Sequence, residues 1–131
     1  MNKKLINPPE LYDGAVYGMS QGAIETQSGL IFLSGQVDFN RQYETTEHSV
    51  EGQVRKALAN LKIALENAGS SIDKLLRVRI YIRGEFNEYI NDIVPIVTDF
   101  LGESRPAMTW IGVASLALPE ILVEVEATAF C

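Results

Sequence analysis

RPAMTWIGVASLALPEILVEVEATAF, Arg105 to Phe130, decides how the rest of the chain is arranged. Pro106 opens a strand in which alternation puts Met108, Trp110 and Gly112 on one face and Thr109, Ile111 and Val113 on the other. Pro119 and Glu120 interrupt the run before a second strand, Leu122 to Phe130. There Glu124, Glu126 and Thr128 share one face, and Val123, Val125, Ala127 and Ala129 share the other. Two carboxylates two residues apart on one face repel unless something cationic or wet lies opposite them. The stretch LLRVRIYIR, Leu75 to Arg83, supplies the counterpart. Leu76, Val78, Ile80 and Ile82 make a dry side, and Arg77, Arg79, Tyr81 and Arg83 a polar one. Two strands with matching dry sides can share a sheet, with arginines and glutamates together on its far face.

Outward from that pair, Gly22 to Gln27 and Leu30 to Val37 read as a hairpin turned by Ser28 and Gly29. The glycine of Ser34-Gly35-Gln36 permits close backbone approach, by another segment or by a ligand. Ser49 to Ala68 carries Val50, Val54, Ala57, Leu58, Leu61, Leu65 and Ala68 at helical spacing, with Gly69 placed to end it. Phe86 to Leu101 is a second helical pattern, and Pro95 inside it predicts a kink or a start displaced towards Val94. Residues 1–21, rich in Pro, Gly and Asn, are expected as an irregular arm. Tyr12 and Tyr17 lie in that arm, either as surface residues or pinned for function. The order is strand, strand, helix, strand, helix, strand, strand: an α+β layer with two helices on one sheet face, in a single domain over residues 1–131. If the helices cover the Val/Ile/Ala side, Met108, Trp110 and Tyr81 are expected on the open face, where they favour an oligomer with a pocket at the seam.

Composition excludes several functions. A net charge of -6 argues against sequence-independent nucleic-acid binding, which needs cations to displace counterions from phosphates. His48 and Cys131 are single residues of their kinds, which removes an internal disulfide and leaves nothing for a His/Cys zinc site. A cytoplasmic, cofactor-free and metal-free protein is expected. No run approaches about twenty apolar residues, so no membrane contact is expected.

With LSGQV at Leu33 to Val37, LENAG ending at Gly69, RVRIYIRGEFNEY, PAMTWIGV and ILVEVEATAF in place, the chain resembles the Rid family, also called YjgF or RidA-like, over nearly its whole length. The resemblance implies a chorismate-mutase-like fold with two helices on a mixed sheet, assembled as a homotrimer with three intersubunit clefts. For the best-known branch it also implies a cofactor-independent deaminase that hydrolyses 2-imino and enamine acids. In that branch an arginine after Pro-Ala grips the substrate carboxylate; the matching residue here is Met108, and Trp110 stands where a small residue or cysteine is usual. Each hydrogen bond to a charged group lost in this way is worth about 1.5 to 3 kcal/mol. The resemblance carries Glu124 over as the water-orienting catalytic glutamate and Tyr17, Ser34, Gly35 and Asn87 as cleft lining. Met108 and Trp110 are either the walls of a cleft for a less anionic small molecule or fillers of the subunit seam. Arg77, Arg79 and Arg105 are either alternative anion partners or, for the first two, members of an ion-pair network with Glu124 and Glu126.

Overall fold

The computed structural model describes residues 2–131. Among them, six strands form one sheet in the spatial order β1-β2-β3-β6-β4-β5: β1 Lys3–Ile6, β2 Gly22–Glu25, β3 Leu30–Gln36, β4 Leu75–Arg83, β5 Ala107–Val113 and β6 Val123–Phe130. The polar/apolar alternation of β4 and β6 brings them together antiparallel, Val78 opposite Ala127, Ile80 opposite Val125 and Ile82 opposite Val123. All three strand residues of β4 in that list are fully buried. Helix α1, Val50–Asn67, starts where the Ser49 side chain accepts from the Gly52 N–H. Its stripe of Val54, Ala57, Leu58, Leu61 and Leu65 joins the dry side of the sheet in one core with Ile93, Val97 and Leu101 of α2, Ile90–Leu101. Burying each of these Leu or Ile side chains contributes about 1.5 to 3 kcal/mol against the entropy of folding.

Gly69, past the end of α1, has φ +82°, a left-handed conformation that glycine adopts without a Cβ clash. Pro95 lies inside α2, which starts at Ile90 after a short 3-10 turn at Phe86–Glu88. The start of the second helix is therefore displaced along the chain, though less far than Val94.

Two expectations change, on the N-terminal arm and on the side that Met108 and Trp110 face. Residues 1–21 are not wholly irregular, because β1 adds to the sheet edge beside β2 and Gly14–Tyr17 forms a 3-10 turn. The two strands of the C-terminal stretch do not neighbour each other; β4 lies between them, antiparallel to β6 and parallel to β5. That parallel register sets Met108 beside Val78 and Trp110 beside Ile80, so both face the helices and not the open side. Trp110 packs edge-to-face on Phe86 at 5.1 Å between ring centroids. The reason is area: an indole on the edge strand buries more surface against the 3-10 turn and the core than on an open sheet face. The residues of β5 on the open face are Thr109, Ile111 and Val113, across from Arg79, Tyr81 and Arg83. Gly112, on the helix side, lies under the Gly84 carbonyl, which a Cβ would approach to 2.5 Å.

Candidate functional site

The open sheet face carries the arginine and glutamate rows. Arg79 is opposite Glu126 and Tyr81 opposite Glu124. Glu126 is partnered twice, by Arg79 Nη1 at 3.5 Å and by the Tyr81 hydroxyl, which donates to its carboxylate. A pocket of about 310 Å³ is lined by Phe32, Arg77, Arg79, Glu126 and Thr128.

Glu124 lies two residues from Glu126 in quite different surroundings. It borders a cavity of about 520 Å³ lined by Tyr12, Tyr17, Met19, Ser34, Gly35, Val37, Phe39, Ala117, Leu118 and Ile121. The β3–β6 pairing is irregular between Leu33 and Gln36, and this bulge re-aims Ser34 and Gly35. A Cβ at Gly35 would lie 2.4 Å from Glu124 Oε2, so the close approach foreseen at this glycine is made by a carboxylate. Burial pushes the Glu124 carboxyl above its ordinary value of 4.5, and the charge of Glu126 adds to the shift. Among the described residues no donor holds its oxygens.

Three loops build the cavity, and each is fixed by buried polar groups. Gln21 donates to the Tyr12 carbonyl at 2.8 Å and accepts from Gln36, which ties the N-terminal segment to β3. Ser34 Oγ donates to the Ser20 carbonyl at 2.6 Å. Asp38, 2% exposed, accepts from the Thr46 N–H, the Thr46 hydroxyl and the Glu47 N–H, and so folds the 38–49 loop. Gln53 of α1 donates to the Glu47 and Glu120 carbonyls and accepts from the Leu122 N–H, holding the segment before β6 against the helix. Tyr12 stands at the centre of an aromatic group, 5.4 Å from Phe39, 5.8 Å from Tyr43 and 6.5 Å from Tyr17 between ring centroids. Burial raises its phenol above the ordinary 10.0, so it stays protonated at neutral pH. Tyr43 holds φ +63°, uncommon for a residue with a Cβ, and its hydroxyl donates to the Asp13 carbonyl at 2.9 Å.

Of the residues singled out in the sequence, Tyr17, Ser34, Gly35 and Glu124 meet at this cavity. Met108 and Trp110 do not line it within one chain. Asn87 is exposed on the 3-10 turn beside β5. Arg77 and Arg79 lie on the open sheet face. Arg105 is exposed just before β5 with φ +47°. The sequence pattern did not point to Phe39, Leu118 or Ile121 as cavity walls, because all three lie in segments without periodicity. Of the two tyrosines in the Pro/Gly-rich arm, Tyr12 is pinned by packing and buried, whereas Tyr17 is 60% exposed. His48 is exposed, and among the described residues no group of three or more His, Cys, Asp or Glu could hold a metal ion. No described helix is long and apolar enough to cross a membrane.

The profile of the family described as "Endoribonuclease L-PSP" matches residues 14–131. A fission-yeast relative, the mitochondrial protein mmf1 of Schizosaccharomyces pombe, is 28% identical over 124 residues, 95% of this chain and 72% of its own length. Two solved structures from Yersinia pestis, both described as proteins of unknown function of the conserved Rid family, also match. YyfA is 26% identical with a TM-score of 0.88, covering 98% of this chain and 99% of its own. YyfB is 34% identical with a TM-score of 0.74, and the match covers 100% of both chains.

Proposed function

The chain belongs to the Rid (YjgF, endoribonuclease L-PSP) family, and on that premise we propose that it is a small-metabolite-binding protein whose clefts form between the subunits of a homotrimer. The observation that carries this is the cavity of about 520 Å³ at Tyr17, Ser34, Gly35 and Glu124, a volume within the roughly 300 to 1,000 Å³ of small-molecule sites. Its walls are mostly apolar, with a few polar groups, as such sites require. Met108 and Trp110 sit on β5, the strand at the sheet edge remote from β1. Only a second copy could bring them to a cavity that opens beside Glu124, and a thioether and an indole there would line an apolar wall in place of a carboxylate-gripping arginine. The mass in solution tests this directly. Three times the chain mass is expected, and a monomer would leave Met108 and Trp110 outside any site.

The alternative is an enamine or imine deaminase of altered substrate preference, acting on 2-iminobutanoate or 2-iminopropanoate without a cofactor. One feature favours it: Glu124 has a raised pKa and unoccupied oxygens at a cavity wall, which suits a group that takes a proton from an attacking water. Ammonia release from freshly generated 2-iminobutanoate distinguishes the two readings. The binding reading expects an inert wild type and turnover gained by Met108→Arg with Trp110→Ala. Brisk wild-type hydrolysis would replace it with the deaminase. Nucleic-acid cleavage has no support in an acidic chain with one exposed histidine. Cytoplasmic location is part of the same proposal, and fractionation of the source cells tests it.

A further inference from the structure

We infer that the occupant of the Glu124 cavity is a small apolar amine, protonated at nitrogen and carrying no carboxylate, with its ammonium on Glu124 and its hydrocarbon or aryl body against Tyr12, Tyr17, Phe39 and Ile121. This deepens the proposal above and rests on that cavity being the ligand site. The charge of the lining points to it first. None of the lining residues is Lys, Arg or His, and Glu124 is the sole formal charge among them. The nearest arginines along the sheet are committed elsewhere, Arg79 to Glu126 and Arg83 to the Pro119 carbonyl. An anion entering this space would meet a carboxylate and no counter-charge from the chain that builds these walls, and the residues a second copy would add from β5, Met108 and Trp110, carry none.

The state of the Glu124 oxygens points the same way. Seated against a glycine that leaves it room, and without a donor among the described residues, this carboxyl has hydrogen-bonding capacity that a ligand N–H can fill. An ammonium supplies donors and charge together, and a charge-assisted bond in a half-buried site is roughly twice as strong as a neutral one. The aromatic walls add to this. Tyr17 and Phe39 lie 6.5 Å and 5.4 Å from Tyr12 between ring centroids, and a cation near ring faces gains attraction from their quadrupoles. Met19, Val37, Leu118 and Ile121 complete a wall that rewards an apolar body and offers little to a sugar or phosphate.

Three probes of one shape test the inference on the full chain: 2-phenylethylamine, 2-phenylethanol and 3-phenylpropanoate, titrated calorimetrically at pH 7.5. The amine is expected to bind at least about 10-fold more tightly than the alcohol, with the carboxylate weakest. Glu124→Gln should erase the amine's advantage while alcohol binding persists. Glu126→Gln removes the same charge from the chain two residues away and should leave amine binding unchanged or stronger, which separates a contact at Glu124 from attraction to an acidic protein. If alcohol or carboxylate binds as well as the amine and Phe39→Ala weakens it, the cavity stands as a ligand site and the amine assignment is overturned. Binding of none of the three at millimolar concentration overturns the assignment together with the cavity's role. Circular dichroism on each variant confirms the fold before titration.

Discussion

Glu124 and Glu126 point from the same face of the same strand, and the chain treats them oppositely. Glu126 has an arginine and a phenol as partners and borders a pocket that it shares with Arg77 and Arg79. Glu124 has a glycine, aromatic rings and space. The cross-strand neighbours explain part of this. Arg79 stands opposite Glu126, whereas Tyr81 stands opposite Glu124 and its hydroxyl goes to Glu126. Gly35, in the irregular part of β3, explains the rest, since a Cβ at that position would collide with the Glu124 carboxylate. A pair of charges on a sheet is ordinary surface chemistry; a lone carboxyl at a cavity is a candidate for function.

The largest expected effect comes from the wall of the cavity. Gln53→Ala would strand the Glu47 and Glu120 carbonyls and the Leu122 N–H, all now bonded to a side chain that is 1% exposed. At about 1 to 3 kcal/mol for each buried group left unsatisfied, we expect a loss of roughly 3 kcal/mol or more in urea unfolding. The Arg79–Glu126 side of the comparison should be untouched. A loss below about 1 kcal/mol would mean that water replaces the amide and that the wall does not depend on it.

Two glycines separate stability from the site. In Gly112→Ala the new Cβ meets the Gly84 carbonyl, a backbone atom that cannot swing aside, and we expect about 1 to 3 kcal/mol of destabilisation. In Gly35→Ala the obstacle is the end of the Glu124 side chain, which can rotate. The cost there should stay under about 1 kcal/mol, while cavity binding falls because the carboxyl is displaced. Equal thermal shifts in the two variants would show that Glu124 is held more rigidly than its lack of partners implies.

How far the sequence anticipated this arrangement follows from periodicity. The α+β order, both helices, the hairpin and the shared polar side of β4 and β6 are written in alternation or helical spacing, and the structure has them all. The side that β5 presents is not written there, because Met108-Trp110 and Thr109-Ile111 alternate equally well and only the parallel register with β4 selects between them. The strand β1 is a four-residue segment that gains its partners from β2, beyond any local signal. The cavity was half legible. Ser34, Gly35 and Glu124 sit on strands whose pattern marked them, whereas Phe39, Leu118 and Ile121 come from loops placed by Asp38 and Gln53 through bonds to distant backbone.

A pH series sharpens the contrast between the two glutamates. Glu124 binds its proton more tightly in the folded than in the unfolded chain, chiefly through burial and then through the Glu126 charge. Its contribution to stability is therefore complete below the ordinary value of 4.5 and is lost as pH rises through the raised folded value. Glu124→Gln has no proton to lose, so the variant should gain on the wild type across that window in denaturant titrations. The titratable groups around Glu124 are Tyr12 from the N-terminal segment, Tyr81 from β4, and Glu126 on its own strand. In Glu126→Gln, the Glu124 titration followed by NMR should move down towards 4.5 without reaching it, because burial remains. A titration unmoved by that substitution would show the two carboxyls to be electrically independent.

The smallest effect belongs to the partnered side. Arg79 and Glu126 have side chains 43% and 33% exposed, so their ion pair is screened and worth about 0.2 to 1 kcal/mol. Tyr81→Phe removes one donor from the same carboxylate, and its cost should lie near the same range. A double-mutant cycle on Arg79 and Tyr81, each read through unfolding free energy, measures the coupling. A value below about 1 kcal/mol fits an open face. A coupling well above about 2 kcal/mol would require that face to be dry in solution, as a second copy of the chain seated on it would make it. Dilution below the assembly's dissociation constant should then return the coupling to the small value, since the same groups would face water again.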